Sequence, residues 1–569
     1  MVRKSAKIGL WFNKQSAEYL WGHGQNLFQL YLEEVLGHAG IPYARFDNAE
    51  SLEAYAPDLI VVLHAGEKEE DLKRLEQWAS RGATVISYGG LNRMAGRLGC
   101  RRVVIRDAVY ADLSGLRLAE GIPVLRAVSS DPWTVIEEPV MPIQADGVLR
   151  RLRKNGAEAA KAVLKFPLGE GRLIRWNVDI PANIVMLQQG SGPVVQDGIP
   201  ATDGTGAVDE GILKADDGCE LDWDEDRLVT ETGMPYFNIP YADWWREAIV
   251  RQLMEEADDL GLALPFLDYW PEGVNQVAMI SHDSDFNIEE AGRTTLKVLK
   301  ESGARSTWCM IEPGYSASLY EEIQAAGHEL AFHYNALEQE DGIWSAEEFS
   351  RQLNVIRSTS GAEIVSNKNH YTRFEGWGEF YEWCEQNGIE ADQSRGPSKK
   401  GNVGFPFGTC HPYYPIAQSD DRNRFYRVLQ IGFLTQDLEH PTLSDVSVIA
   451  PFLEKVAEVR GVAHFLFHQQ HIHNLEQVRN ALSLAIETAK RLGYTFWTCE
   501  EITRWEQARR AAVLRIDADG TFIAENLPQG AVVRLPLNGE NNGQLRMNME
   551  TRFGRPCAEM ASVVNTAAE

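Results

Sequence analysis

Residues 279–286 read MISHDSDF, so that two carboxylates, one residue apart, directly follow an apolar run. Asp283 and Asp285 could bind a divalent cation or accept a proton, because carboxylates serve both as metal ligands and as general bases. They could also simply cap a following helix, which is a common role of aspartate after a strand. The choice between these interpretations depends on which other polar groups the fold brings close to Asp283 and Asp285.

Histidines are concentrated in the same part of the chain. Ten of the 13 lie between His282 and His473. Several follow predicted strands, among them His333, His370 and His468. Since core packing does not require polar side chains at strand ends, this distribution predicts that they meet at one place.

The elements that must position these residues alternate regularly between residues 274 and 510. Strand patterns such as QVAMISH, RSTWCMI, HELAFHY and VAHFLFH alternate with helical patterns such as EEAGRTTLKVLKESG. About seven strand-helix units in sequence predict a (β/α) barrel, in which reactive groups project from the carboxyl-terminal ends of the strands.

The first 115 residues also alternate strands and helices, which predicts a doubly wound parallel sheet. In outline this region resembles the flavodoxin-like fold of class I glutamine-amidotransferase-type domains. The cysteine nucleophile of that family is absent, because VVLHAGE carries His64 at the corresponding turn, so we do not expect amidotransferase activity. The motif WGHGQNL lacks the third glycine of a dinucleotide-binding loop.

The remaining segments complete the predicted domain organisation. A mixed β/α region covers residues 116–270 and includes QQGSGPVVQDGIPATDGTGAVDEG, which looks too poor in apolar residues to pack. The barrel covers residues 271–510, and alternating residues predict a small β appendage over residues 511–569.

Bulk composition excludes several classes of partner. The chain has 569 residues, with 82 acidic against 55 basic side chains and a formal net charge of -27, which disfavours nucleic acid and anionic membranes. The apolar run IGLWF is too short for a secretory signal, and no stretch reaches the roughly 18 apolar residues of a membrane span. We therefore expect a cytoplasmic location and reduced thiols for the seven scattered cysteines.

Four segments resemble the motifs of one known family. SHDSD, GHELAFHYN, NKNHYTRF and HFLFHQQH look like divergent forms of the motifs of polysaccharide deacetylases, carbohydrate esterase family 4. The resemblance covers roughly residues 274–505. It implies a distorted (β/α) barrel and a metal-dependent carbohydrate deacetylase, a hydrolase of non-peptide C–N bonds.

Carried over to this sequence, the resemblance makes Asp283 the catalytic base, Asp285 a metal ligand and His333 the first metal-binding histidine. The partner histidine should stand four residues later, where this chain has Leu337. We expect His370, which stands where the family usually has proline, to replace it. Two histidines and one carboxylate suit a divalent metal such as Zn²⁺.

The other motifs imply further roles. Lys368 takes the place of the family's arginine, and Tyr371 that of its tyrosine, whose backbone N–H would hold the oxyanion. His468 matches the general acid, and Asp392 resembles the aspartate that orients this acid. His471 and His473 remain alternatives to His370 as the replacement ligand. A further segment, GFPFGTCHPYY (404–414), fits a sugar-binding wall or a rigid packed loop equally well.

The expected reaction is removal of an N-acetyl group from an amino sugar or oligosaccharide, with a carbohydrate as the small-molecule partner. Two alternatives stay open: a cyclic amide or ureide hydrolase on the same barrel, and a glycan-binding scaffold whose metal site has decayed. The amino-terminal domain could shape the cleft, recognise substrate or form a homo-oligomer.

Overall fold

Short apolar runs form the strands of the first region, and amphipathic segments form the helices between them. The computed structural model describes residues 3–137, 139, 141–206, 211–537 and 549–560. The elements of the first region are β1 (Ile8–Phe12), α1 (Lys14–Trp21), α2 (Leu32–His38), β2 (Ala44–Phe46), α3 (Ala49–Tyr55), β3 (Leu59–His64), α4 (Glu69–Ser80), β4 (Thr84–Tyr88), β5 (Cys100–Arg102), β6 (Val109–Asp112), β7 (Leu125–Ala127), β8 (Trp133–Val135), β9 (Gln144–Asp146), β10 (Val148–Arg151), β11 (Glu158–Ala160), β12 (Val163–Leu168), β13 (Gly171–Trp176) and α5 (Ile180–Gln189).

The main sheet of this region has the strand order β2-β1-β3-β4-β13-β12-β9. Its strands from β2 to β13 are parallel, and β12 and β9 continue it in antiparallel fashion. The order β2-β1-β3-β4 agrees with a parallel α/β sheet, and the flavodoxin-like fold of this region stays a prediction. The sheet also takes β9, β12 and β13 from beyond residue 115, and the division of domains at that residue stays a prediction.

The middle of the chain connects this sheet to the second one. A smaller antiparallel sheet has the order β11-β10-β6-β7, and β5 pairs with β8. The elements that follow are β14 (Arg227–Val229), β15 (Pro235–Phe237), α6 (Tyr241–Asp259) and β16 (Phe266–Leu267). Helix α6 is buried along almost its entire length and contacts α5. It is thus a core element rather than a linker.

The second large unit repeats strand and helix as the sequence predicts. Its elements are β17 (Gln276–Asp283), α7 (Glu289–Ser302), β18 (Thr307–Met310), α8 (Ala317–Ala325), β19 (Glu329–Tyr334), α9 (Ala346–Ser360), β20 (Ser366–Asn369), α10 (Glu379–Gln386), β21 (Ala391–Asp392), β22 (Leu429–Gln430), β23 (Thr435–Gln436), α11 (Ile449–Val459), β24 (Val462–His468), α12 (Gln469–Asn474), α13 (Glu476–Arg491), β25 (Tyr494–Phe496) and α14 (Cys499–Arg510).

These strands form a curled parallel sheet, consistent with a (β/α) barrel. Its order is β22-β21-β20-β19-β18-β17-β24-β23, and β25 pairs with the beginning of β17. The described residues contain no ladder between β22 and β23, so the curl is open at this seam. Parallel pairing brings the carboxyl ends of all these strands to one mouth.

Short 3-10 helices and the carboxyl-terminal strands complete the described elements. The 3-10 helices are Phe28–Tyr31, Asn92–Met94, Arg117–Ala119, Ala215–Gly218, Glu338–Glu340, His370–Thr372, Ser419–Asp421 and Val446–Val448. The last strands are β26 (Val513–Ile516), β27 (Phe522–Glu525), β28 (Val533–Pro536), β29 (Glu550–Arg552) and β30 (Arg555–Glu559). Strand β16 joins β28, β30 and β29 in one sheet, while parts of the predicted appendage, 538–548 and 561–569, lie outside the described residues.

The Gly/Asp-rich segment packs against the barrel, which its composition does not predict. Val194 of this segment forms a β-bridge with Gly376, and Lys214, just after the segment, forms one with Arg373. Val194 and Ala215 are buried. Backbone β-bridges therefore hold this region in place although it contains few apolar residues. Residues 207–210 of the segment lie outside the described residues. Nowhere in the described chain is a helix both long and apolar enough to cross a bilayer.

Candidate functional site

The mouth of the barrel collects side chains from two pairs of neighbouring strands, which flank β18. Strand β17 ends at Asp283, which stands opposite His468 at the end of β24. On the other side, His333 of β19 stands opposite Lys368 of β20. Alternation along the strands turns Ser281 and Asp283 to the same face. The register itself therefore brings ionisable groups together.

Asp283 is paired with a buried lysine. Its Oδ1 lies 3.1 Å from Lys368 Nζ, and the lysine is fully buried. Burial alone would raise the pKa of Asp283, but Lys368 and His333 outweigh this effect and hold it below its usual value. Asp283 is thus an ionised carboxylate in a water-poor setting, as a general base requires.

Lys368 is itself held by a hydrogen-bonded chain. Its Nζ donates to Ser281 Oγ at 2.6 Å, and this hydroxyl lies 2.7 Å from His464 Nε2. His464 Nδ1 lies 3.1 Å from the carbonyl oxygen of Gly432, to which it donates. Burial lowers the pKa of His464 to about 3, so the imidazole is neutral and accepts from Ser281. The chain orients the ammonium group toward Asp283.

Three residues at the mouth could bind a metal together, and we call them the mouth cluster: Asp285, His333 and His370. Each offers one ligand atom that lies within 4.8 Å of the other two. Asp285 Oδ1 is 3.5 Å from both His333 Nε2 and His370 Nδ1. His333 donates through Nδ1 to the carbonyl of Lys368 at 2.9 Å, which leaves a lone pair on its Nε2, and this atom lies 3.1 Å from His370 Nδ1. The three atoms converge as metal ligands do.

The mouth cluster also contains unmet bonding capacity. Asp285 Oδ1 is buried and has no hydrogen-bond partner among the residues that the structure describes. A buried carboxylate oxygen without a partner is costly, and a divalent cation would satisfy it. The donor set of one oxygen and two nitrogens therefore fits Zn²⁺ or a similar ion.

Glu340 lies behind His370. Its Oε2 is 3.6 Å from His370 Nε2 and accepts from Asn335 Nδ2 at 2.9 Å. Carboxylates commonly orient metal-binding histidines from the far side of the ring. Leu337, at the position of the expected second histidine, precedes the short helix that carries Glu340. This loop therefore presents a carboxylate to His370 and no imidazole to the cluster.

Sharp backbone turns aim the strand ends at the mouth. Asp285 has a φ of 36°, Tyr371 of 55°, Thr372 of 53° and Asp437 of 29°. Tyr371 is half exposed, and its ring meets the His370 ring edge-on at a centroid distance of 4.7 Å. Lys214 Nζ lies 5.6 Å from the centre of the Tyr371 ring. The stretch just after the Gly/Asp-rich segment thus reaches one wall of the mouth.

His468 is oriented by Asp437, not by Asp392 as the resemblance implies. Asp437 accepts from the backbone N–H of His468 at 2.8 Å and from its ring Nδ1. Burial alone would lower the pKa of His468, but Asp437 and Asp285 raise it to about 10. His468 Nε2 faces Asp285 Oδ2 at 3.8 Å. It is therefore a protonated group on the far side of the site from His370.

Asp392 bonds to residues beneath the site and not to His468. It ends β21, where its carboxylate accepts from Ser394 Oγ, Ser394 N and Asn367 Nδ2 at 2.7 to 3.0 Å. It is fully buried, and burial raises its pKa. These bonds tie β21 to β20 from inside the sheet, so Asp392 supports the strands beneath the site.

Other residues of the predicted motifs lie outside the mouth. His282 is buried on the opposite face, where it donates through Nδ1 to the carbonyl of Phe467. His473 Nδ1 lies 2.8 Å from Thr294 Oγ1, and His471 lies against Asp437 rather than in the mouth cluster. The segment 404–414 is largely buried, as a packed loop would be.

Asp437 and Glu340 are the site residues that the sequence patterns miss. Asp437 follows β23, a strand of two residues that is too short to show a periodic pattern. If Thr435–Gln436 is taken as a strand, the rule that polar residues follow strand ends identifies Asp437. Glu340 lies on a loop, where spacing carries little information.

Comparisons with known proteins give partial similarity in structure. No protein-family model matches the sequence, and no curated protein matches it. A solved protein assigned as a polysaccharide deacetylase, from Mycobacterium smegmatis, is 13% identical over 43% of this chain and 94% of its own, with a TM-score of 0.33. A variant of the peptidoglycan deacetylase of Bacillus subtilis is 12% identical over 42% and 96%, with a TM-score of 0.26. The allantoinase PuuE is 13% identical over 42% and 91%, with a TM-score of 0.29.

Proposed function

We propose that this protein is a metal-dependent hydrolase that removes an N-acetyl group from an amino sugar or oligosaccharide. The observation that carries the proposal is the ionised Asp283, held by Lys368, directly beside the unsatisfied Asp285 Oδ1 of the mouth cluster. A base next to a cation site is what water-dependent cleavage of an amide needs.

The cation would be held by Asp285, His333 and His370. When bound, it supplies Lewis acidity, which polarises a carbonyl and makes water more acidic. Tyr371 lies at the rim, where its backbone N–H is proposed to donate to the oxyanion. The aromatic face of Tyr371 is exposed and suits a sugar ring.

The proton transfers use Asp283 and His468. Lys368 keeps the Asp283 carboxylate ionised until this carboxylate accepts a proton from the attacking water. The water oxygen bonds to the acyl carbon, the C–N bond breaks, and His468 donates its Nε2 proton to the leaving nitrogen. Asp437 holds the Nδ1–H of His468 throughout, so the ring keeps the orientation needed for donation.

Metal content and acetate release test this proposal together. Wild type and His370→Ala are purified in parallel, their zinc content is measured by mass spectrometry, and both are incubated with N-acetylglucosamine oligomers. We expect about one tightly bound equivalent in wild type, its loss in the variant, and acetate release by wild type alone. Ring opening of a cyclic ureide without acetate release would replace the deacetylase assignment by a cyclic amide hydrolase. Sugar binding without cleavage in zinc-loaded protein would favour a scaffold.

A further inference from the structure

A second group of ligands lies beside the mouth cluster and shares no residue with it. This group, here called the rim cluster, consists of Asp437, His468 and His471. Its ligand atoms also lie within 4.8 Å of one another. Asp437 Oδ2 accepts from Nδ1 of both histidines, and the distance to His471 is 2.8 Å. One carboxylate oxygen between two imidazole nitrogens has the composition of a zinc site.

We propose that the rim cluster is a second cation site, weaker than the first, for Zn²⁺ or another borderline-soft divalent ion. A cation would displace the Nδ1 protons that now point at Asp437; each ring would keep one proton on its Nε2, and any further proton would pass to solvent. One carboxylate and two neutral imidazoles leave a net charge of −1, which suits a divalent ion.

Access to the rim cluster differs from access to the mouth cluster. The side chains of His468 and His471 are 16% and 24% exposed, whereas that of His333 is fully buried. The ring of His440 stacks on His471 at a centroid distance of 4.5 Å, so a further imidazole stands next to the site. A cation can therefore reach the rim cluster directly from solvent, with water completing its coordination.

His468 connects the two clusters through the two sides of its ring. Its Nε2 faces Asp285, and its Nδ1 faces Asp437. A cation on Nδ1 removes the hydrogen bond that orients the ring and places positive charge beside the proton donor. We therefore expect excess zinc to inhibit the enzyme. This inhibitory effect rests on the proposed function, whereas binding at the rim cluster does not.

Zinc titration by calorimetry tests the site itself. We expect two binding events in wild type, and in His471→Ala the retention of the tighter event with the weaker Kd raised about tenfold or more. His473→Ala is the matched control, because His473 lies on the same helix but bonds to Thr294. His370→Ala should lose the tighter event and keep the weaker one. His471→Gln serves if the alanine variant does not fold, as judged by circular dichroism.

The outcomes separate this site from the proposed reaction. One binding event in wild type, or a weaker event unchanged in both His471 variants, would overturn the rim site. With active protein, the ratio of turnover in excess zinc to turnover at one equivalent should fall in wild type and in His473→Ala, but stay near one in His471→Ala. Two binding events without hydrolysis of any acetylated sugar would reject the proposed reaction and leave the rim site standing.

Discussion

The carboxyl-terminal edges of the two parallel sheets both carry polar residues, but in different states. At the edge of the first sheet, His64 Nε2 lies 2.9 Å from Ser16 Oγ, and Ser87 donates to the carbonyl of Gly89 at 2.7 Å. Burial lowers the pKa of His64 to about 4, so this imidazole is neutral and paired with Ser16. At the barrel mouth, the Asp283 carboxylate lies within 4 Å of Lys368 Nζ and His333 Nε2, and Asp285 Oδ1 has no hydrogen-bond partner in the described part of the chain.

Location at the carboxyl edge of a parallel sheet is therefore not sufficient to identify a reactive site. Both edges satisfy the topological rule that places ligands at the carboxyl ends of parallel strands. Convergence of charges and unmet bonding capacity distinguish the barrel mouth. Matched substitutions at the two edges test this distinction.

The largest effect is expected at Asp283. Asp283→Asn keeps the shape of the side chain but cannot accept the proton, so kcat should fall about 10³-fold while bound zinc stays at the wild-type level. His64→Gln, at the other edge, should leave kcat unchanged. Acetate release and mass spectrometry measure both quantities. Wild-type turnover in Asp283→Asn would remove Asp283 from the role of base.

The next effect separates Asp437 from Asp392. Asp437→Asn removes the carboxylate that holds His468, so kcat should fall about 10²-fold or more. Asp392→Asn keeps an oxygen acceptor for Ser394 and lies beneath the site, so kcat per folded molecule should stay within a few fold of wild type. Equal losses in the two variants would contradict the assignment of Asp437 as the orienting carboxylate.

A smaller effect is expected behind His370. Glu340→Gln weakens the support of the imidazole, and the affinity of the tighter zinc site should fall roughly 10- to 100-fold. Glu338→Gln, in the same 3-10 helix, is the control and should leave affinity unchanged. Competition with a chromophoric chelator measures the affinity. No change in Glu340→Gln would show that His370 is positioned by other contacts.

The smallest effect concerns the opposite end of the barrel. Glu329 is buried at the start of β19, and burial raises its pKa to about 7. The pKa of Glu329 in the folded protein lies above its unfolded value, so ionisation of this carboxyl group destabilises the folded state. The free energy of unfolding should therefore decline as the pH rises from about 4.5 to 7. Glu329→Gln should remove this part of the decline, seen as a shift of roughly a few degrees in Tm between pH 5 and pH 8. An identical pH profile in both proteins would contradict this, and kcat should not change.

Much of this arrangement follows from the sequence, because strand ends in a parallel barrel face one mouth. That rule is sufficient to bring Asp283, Asp285, His333, His370 and His468 together, although their roles stay predictions. It is not sufficient for Asp437, since β23 is too short for a pattern to be visible. Nor can it place β13 beside β4 or Lys214 beside Tyr371, because these contacts join segments far apart in the chain.

The left-handed residues at the mouth have a consequence for how this protein can change. Tyr371 and Thr372 adopt a backbone conformation that L-residues with bulky or branched side chains rarely tolerate, at a cost of about 1–3 kcal/mol each. Glycine at either position would relax the chain and stabilise the fold, but it would also loosen the turn that holds His370. We therefore expect glycine at these positions to raise stability and to lower the proposed activity, so that the two properties would favour different sequences.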